Sequence, residues 1–468
     1  MFPPPSIVLP SNTMSAAPKE NVKWVDGLRG IASLLVVATH LARGFDEDLF
    51  KSISKDPYKD LQPGEVVVPR LFQYPYLRVL VQGRIGVSIF ALVTGYVCAL
   101  KPIRQFRAGQ MDAAFSGIAK SAFRRTPRLF LPTTIITVAS WFICQFGVYQ
   151  IANRSEGWWI NHSSPNMTPW IGRAIYELLN AIVTTWSALW NPYDINHWTL
   201  QPLLKGAFWV YTFLIGTAYM KPRYRMTASL ILVAYFYVSK DAHLGSQFFF
   251  GTFLTELSQD PGHTAWLKSN KWPARTLTPI CIIFGLMLAS YPEKNPEWRP
   301  WSLFMLRVGH RIFPDGSEYP RNYSSLGLFC ITLGIHFSSG VKDVLSNKYL
   351  LWFGKNSFAV YLLHGTLLRT ILVWMLFGVS FPKDVEKEGK MVPGPPLKIC
   401  GRVGWYFWVP IWLVMLYSIA NQWTKHVDPF CARMTARIEN YMFEEQHTTL
   451  SAEAQQNREK AKLSPLPR

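Results

Sequence analysis

A chain of 468 residues with 49% hydrophobic side chains, 19 Trp and only 16% charged residues departs from soluble globular domains, where about a quarter of residues are charged. Its formal charge of +19 would suggest nucleic acid in a soluble protein, but here the basic residues occupy short loops beside apolar blocks, the pattern that orients membrane proteins, so no nucleic-acid partner is expected. The six cysteines (Cys98, Cys144, Cys281, Cys330, Cys400, Cys431) are scattered without a Cys-x-x-Cys pair, which indicates neither a disulfide framework nor a metal site.

In chain order, residues 1–23 are expected to be a disordered cytosolic head, with Pro3, Pro4 and Pro5 in place of the basic region of a signal peptide. Apolar segments then predict spans near 28–43, 80–100, 129–150, 200–220, 226–239, 244–258, 276–291, 325–340, 350–377 and 403–424. The expected fold is an all-α polytopic transmembrane helical bundle of about ten spans, with one membrane domain over 24–424 and both termini cytosolic. A charged, disordered or loosely helical tail is expected over 425–468.

Between the second and third segments, Lys101, Arg104, Arg107, Lys120, Arg124, Arg125 and Arg128 are opposed in the loop only by Asp112. A cytosolic placement puts them against anionic lipid headgroups or a polyanionic metabolite. The loop 151–199 then falls on the lumenal side with three Asn-x-Ser/Thr sequons at Asn153, Asn161 and Asn166, and a fourth at Asn322 shares that side. The amphipathic stretch 171–190, carrying Arg173 and Glu177, is read as interfacial, which keeps the basic run Lys221, Arg223 and Arg225 cytosolic.

Ionisable residues inside apolar segments require a partner, a wet cavity or a function. The first segment places Asp26 and Arg29 at its cytosolic end and His40 deeper; eleven residues bring His40 to within about 20° of Arg29 and about 16 Å along the axis. Such a wall can bind an anion at one end and move a proton at the other; snorkelling of Arg29 and interhelical hydrogen bonding by His40 account for the same residues. In GKNSFAVYLLH, His364 shares a helical face with Ser357, again as a wet face or as polar glue. Arg124, Arg125 and Arg128 at the third segment's mouth can grip phosphates or set topology. Arg84 is expected at the interface or in the same cavity, and His197 at the interface beside Trp198. Nucleophile elbow, zinc-protease, Walker and dinucleotide signatures are absent.

Four stretches together resemble the acyltransferase-3 family of integral membrane acyltransferases, over roughly residues 24–424. Asp26-Gly27-Leu28-Arg29-Gly30, followed by His40, is similar to the family's first helix. GRIGVSIFALVTGY is similar to its second, with Ser88 where the family carries Asp. RRTPRLFLP and LLWFGKNSFAVYLLH resemble two further motifs, whereas HWTLQPLLKGAFWVY carries Leu203 in place of a Glu of the fungal branch.

The resemblance implies acyl transfer from cytosolic acyl-CoA, most often acetyl-CoA, to a hydroxyl on a small molecule, sugar, polysaccharide or lipid. No bound cofactor is implied, and the sequons favour the fungal, natural-product type. His40 and His364 are the implied catalytic residues. Asp26, Arg29, Arg84, Arg124, Arg125, Arg128, Ser357 and Tyr361 are candidates for substrate and CoA binding. The implied partners are membrane lipids, acyl-CoA and a hydroxylated acceptor, in the endoplasmic reticulum or another secretory membrane. A proton-coupled transporter and an inactive acyl-CoA sensor are the competing classes.

Overall fold

The computed structural model describes residues 22–59, 66–379, 384–387, 389–392 and 394–463; most of the expected N-terminal head, 1–21, lies outside the described residues. The chain is a bundle of helices: α1 (Lys23–Phe45), α2 (Arg84–Arg107) and α3 (Met111–Gln145), then short α4 (Trp158–Ser163) and α5 (Ile171–Ser187) on the loop between α3 and α6 (Leu200–Gly216). α7 (Pro222–Val238), α8 (Gly245–Ser258), α9 (Pro261–Ser269), α10 (Thr278–Ala289), α11 (Pro300–Ile312), α12 (Tyr319–Phe337) and α13 (Ser339–Leu345) follow. The chain then runs through α14 (Lys348–Leu367), a π-helical turn at Leu368–Leu372, α15 (Val373–Phe377) and α16 (Gly401–Leu463), with one small hairpin of β1 (Val385–Lys387) and β2 (Lys390–Val392) before α16.

Each of the ten expected segments coincides with a helix. Among the described residues five helices are long and apolar enough to cross a membrane, and two bent pairs raise this to seven. One pair joins Pro261–Ser269 to Pro273–Ala289 at 81°, the other Tyr319–Phe337 to Ser339–Leu345 at 108°. α6 and α7 have 17 residues and α8 has 14, below the roughly 20 that a straight crossing needs. The outer faces carry exposed apolar side chains, among them Ile231, Tyr235, Ile283, Phe284, Phe407 and Val414, which suits lipid rather than water. The protein is therefore an integral membrane all-α bundle.

The core lies where α1 and α2 cross the other helices. One cluster joins Val36 and Leu41 of α1 to Val360 and Leu363 of α14 and Trp412 and Leu416 of α16. Another joins Leu28, Ala32 and Leu35 to Ile89 and Leu92 of α2, Leu254 of α8 and Leu328 of α12. In the tail expected to be disordered or loosely helical, α16 runs through residue 425 unbroken, and Glu439 pairs with Arg124 of α3 through contacts of 2.5 and 2.9 Å.

Candidate active site

Two glycines set the distance of α1 from its neighbours, Gly27 against Leu345 of α13 and Gly354 of α14 against Asp26. A Cβ on Gly27 would lie 1.8 Å from the Leu345 carbonyl oxygen, and one on Gly354 would lie 2.0 Å from that of Asp26. Only glycine allows backbones this close. α1 and α14 run in the same direction from that crossing, and their next polar meeting is His40 with His364.

His40 Nδ1 lies 2.9 Å from the Val36 carbonyl oxygen and 3.3 Å from His364 Nε2. His364 Nδ1 lies 2.8 Å from the Tyr361 carbonyl oxygen and 3.1 Å from that of Val360. A carbonyl only accepts, so these contacts assign the proton of each neutral ring to Nδ1. The one Nδ1 proton of His40 is then shared between the Val36 carbonyl oxygen and, at the longer distance, His364 Nε2, and the outward lone pair of the dyad belongs to His40 Nε2. The Trp159 ring of α4 closes on His40 at 5.4 Å between centroids. Such a dyad can take one proton and spread its charge over two imidazoles.

On the same helices a cavity of about 800 Å³ opens between α1, α2, α3, α14 and α16. Its cationic wall holds Arg29, Lys101, Arg124, Arg125, Arg128 and Lys355; Phe90, Leu200, Phe358 and Tyr361 form an apolar wall. Arg125 is held by neutral groups, Cys98 Sγ at 3.3 Å and Thr94 Oγ1 at 3.2 Å, and its field reaches Arg29. Arg29 has Asp26 at 3.3 Å, itself outside the cavity wall and 55% exposed, which weakens its compensation. Among the described residues Arg125, Arg128, Lys101 and Lys355 form no ion pair. Lys101, Arg124, Arg128 and Lys355 are exposed and Asp428 is the acidic residue of the lining, so the wall carries excess positive charge open to solvent and is suited to a polyanion such as a phosphorylated nucleotide. Tyr361 joins this cavity to the dyad, its ring centroid 5.9 Å from that of His364.

Beneath the dyad lies a polar network that sequence reasoning missed. Asp194 and Arg369 are 1% and 0% exposed, with Oδ1 and Nη2 3.6 Å apart. Arg369 also donates to the backbone carbonyls of Gly365, Ser163 and Tyr193. The signal was an arginine inside the apolar run LLRTILVW. His197, expected at the interface, is fully buried, 3.3 Å through Nδ1 from Asn191 Nδ2 and 3.3 Å through Nε2 from the Leu362 carbonyl oxygen. Loop packing against α14 overrides the interfacial preference that Trp198 suggested.

Other candidates fall elsewhere. Arg84 does not line the cavity; it pairs at 2.9 Å with Glu293, which also takes Arg43 at 2.9 Å. Ser357 is fully buried and outside the cavity wall, its hydroxyl donating to the Gly354 carbonyl oxygen at 2.8 Å. Arg107, expected to face headgroups, instead meets the buried Glu256 at 2.7 Å, which Arg225 also holds at 2.8 Å. Asn322, expected to carry a glycan, is 2% exposed with Nδ2 donating to Ser317 Oγ at 2.8 Å, because the first turn of α12 is packed inward. Of the other sequons Asn153 and Asn161 are half-buried and Asn166 is exposed. Ser88 sits 2.8 Å from His243 Nδ1, and Leu203 lies in the cavity wall.

An integral membrane helical bundle that joins a cationic cavity to a part-buried histidine dyad is suited to group transfer in a membrane. The acyltransferase domain matches residues 22–421, and the chain belongs to the acyltransferase-3 family. It is 26% identical over 381 residues to the O-acetyltransferase PaAT-1 of Phomopsis amygdali, covering 75% of this chain and 73% of that one. It is 23% identical over 426 residues to the acyltransferase R4 of a Phoma species, covering 79% and 88%. The acyltransferase clz18 of Cochliobolus lunatus is 23% identical over 390 residues, covering 73% and 81%. No solved structure matches.

Proposed function

We propose that this acyltransferase moves an acyl group, acetyl first among them, from acyl-CoA to a hydroxyl of a small lipophilic molecule in secondary metabolism. The observation that carries the reading is the histidine dyad, 3.3 Å between nitrogens, joined through Tyr361 to a cavity lined by six cations. The printed names of the relatives, an O-acetyltransferase and two acyltransferases, support it. Ten crossings with both termini cytosolic would open the cationic cavity to cytosolic acyl-CoA, in the endoplasmic reticulum or another secretory membrane.

In this reading Arg29, Arg125, Arg128, Lys101 and Lys355 hold the phosphates and direct the thioester inward. His40 Nε2 takes the proton of the acceptor hydroxyl as its oxygen attacks the thioester carbonyl carbon. His364 Nε2, accepting from His40 Nδ1–H, shares the positive charge. Collapse forms the ester and breaks the C–S bond, and the CoA thiolate leaves with the proton from His40. The substrates supply all the reacting atoms, and the histidines end as they began.

The test is release of CoA thiol from acetyl-CoA by the purified protein, with and without an extract of hydroxylated lipophilic metabolites. Extract-dependent release with formation of an ester supports the reading. Release with sugars or phospholipids alone would shift the acceptor class. Movement of a solute in vesicles without thioester cleavage favours a proton-coupled transporter, and binding of acetyl-CoA without release favours a sensor.

A further inference from the structure

We propose that Asp194 is a positioning residue for the histidine dyad, holding His364 in register and supplying the negative field under the proton that the dyad takes up, with Arg369 as its anchor. The inference rests on the acyl-transfer reading above.

The segment from Asn191 to Thr199 clasps α14 on both sides of His364. The Tyr361 hydroxyl donates to the Asn196 carbonyl oxygen and lies 2.5 Å from Thr199 Oγ1. Beyond His364, Thr366 Oγ1 donates to Asp194 Oδ2 at 3.2 Å, and Arg369 Nη2 donates to the Tyr193 carbonyl oxygen at 2.8 Å. Asp194 Oδ1 accepts from the Asn196 N–H at 3.0 Å. These ties fix the turn of α14 that carries His364, and so fix its Nε2 against His40.

The residue after His364 is shaped for the carboxylate. A Cβ on Gly365 would lie 2.5 Å from both Asp194 oxygens, so the absence of a side chain there is what admits the charge beside the dyad. The Asp194 carboxylate thus lies against Gly365 and Thr366, the two residues that follow His364. Arg369 sits in the π-helical turn Leu368–Leu372, a distortion frequent at functional sites. A buried ion pair is a poor stabiliser compared with apolar packing, so its place beside the dyad calls for another reason.

A tie and a field are separated by neutralising the pair in two ways. Asp194→Asn keeps an acceptor for the Asn196 N–H, turns its Nδ2 donor toward the Thr366 hydroxyl, and strands the Arg369 charge; Asp194→Asn with Arg369→Gln removes both charges. Both variants are compared with the wild-type protein for thermal stability in detergent, kcat, and KM for acetyl-CoA. Asp194→Asn is expected to lower kcat about 100-fold with KM within threefold of wild type. The double variant is expected to regain melting temperature while kcat stays low. Recovery of kcat to within threefold of wild type in the double variant would overturn the proposal and leave the pair a structural tie; so would a loss confined to KM. A wild-type protein that releases no CoA sinks the acyl-transfer reading itself, whereas an active wild type with a fully active Asp194→Asn variant sinks only the role of Asp194.

Discussion

Gly354→Ala tests whether the α1–α14 crossing sets the dyad. The new methyl would meet the Asp26 carbonyl oxygen at 2.0 Å, and ordinary contact begins at 3.4 Å, so the helices must part by about 1.4 Å at that point. His364 stands ten residues further along α14, about 15 Å away. If the separation is carried along the helix, the 3.3 Å contact between His40 and His364 opens well beyond hydrogen-bonding range. Overpacking of this size costs about 1–3 kcal/mol of stability, and a displacement of about 1 Å at reacting groups costs about 100-fold in rate. The assay is CoA release per folded protein, with folding followed by size-exclusion profile and melting temperature. Gly216→Ala is the control, because a Cβ there meets nothing within 4 Å. A Gly354→Ala variant that folds and turns over like the Gly216→Ala control would refute the claim that the close crossing positions the dyad.

Three further outcomes follow from the geometry. Arg125→Ala, which removes a cavity cation without an acidic partner among the described residues, is expected to raise KM for acetyl-CoA about tenfold, the loss of one charge-assisted contact. Arg124→Ala, already neutralised by Glu439, is expected to raise it less; equal KM values would count against the division. Among the sequons, Asn166→Gln is expected to abolish a deglycosylation-dependent mobility shift and Asn322→Gln to leave it unchanged, since Asn166 is exposed and Asn322 is 2% exposed. A shift lost only in the Asn322 variant would contradict the packing of α12. Glu256→Gln strands the buried Arg225, while Arg107 keeps Asp260 at 3.6 Å, and is expected to destabilise the protein by about 3–5 kcal/mol, measured as a fall in melting temperature. An unchanged melting temperature would show that the triad is hydrated.

The helical class and the ten apolar segments were legible because each segment is an apolar run set off by polar stretches, and hydropathy is a local property. Arg29 and His40 were legible for the same reason, since helical periodicity puts residues eleven apart on one face. The contact between His40 and His364 spans 324 positions and depends on glycines whose close approach no local pattern announces. Arg84 was left between the interface and the cavity, and Arg107 was placed at headgroups, because their carboxylate partners, Glu293 and Glu256, lie on distant parts of the chain. Asp194 sits in the loop 151–199, read only as lumenal; the fold carries that part of the loop into the bundle and against α14. The Asn322 sequon has the right residues, and its burial comes from tertiary packing alone.

The most direct test of the account compares wild-type, His40→Ala and His364→Ala proteins, each folded and inserted, for extract-dependent CoA release from acetyl-CoA together with mass detection of the acylated product. The account predicts product formation by the wild type and a loss of about 100-fold or more in His40→Ala, the range for a removed general base, with a smaller loss in His364→Ala. Near-normal product formation by His40→Ala would contradict it.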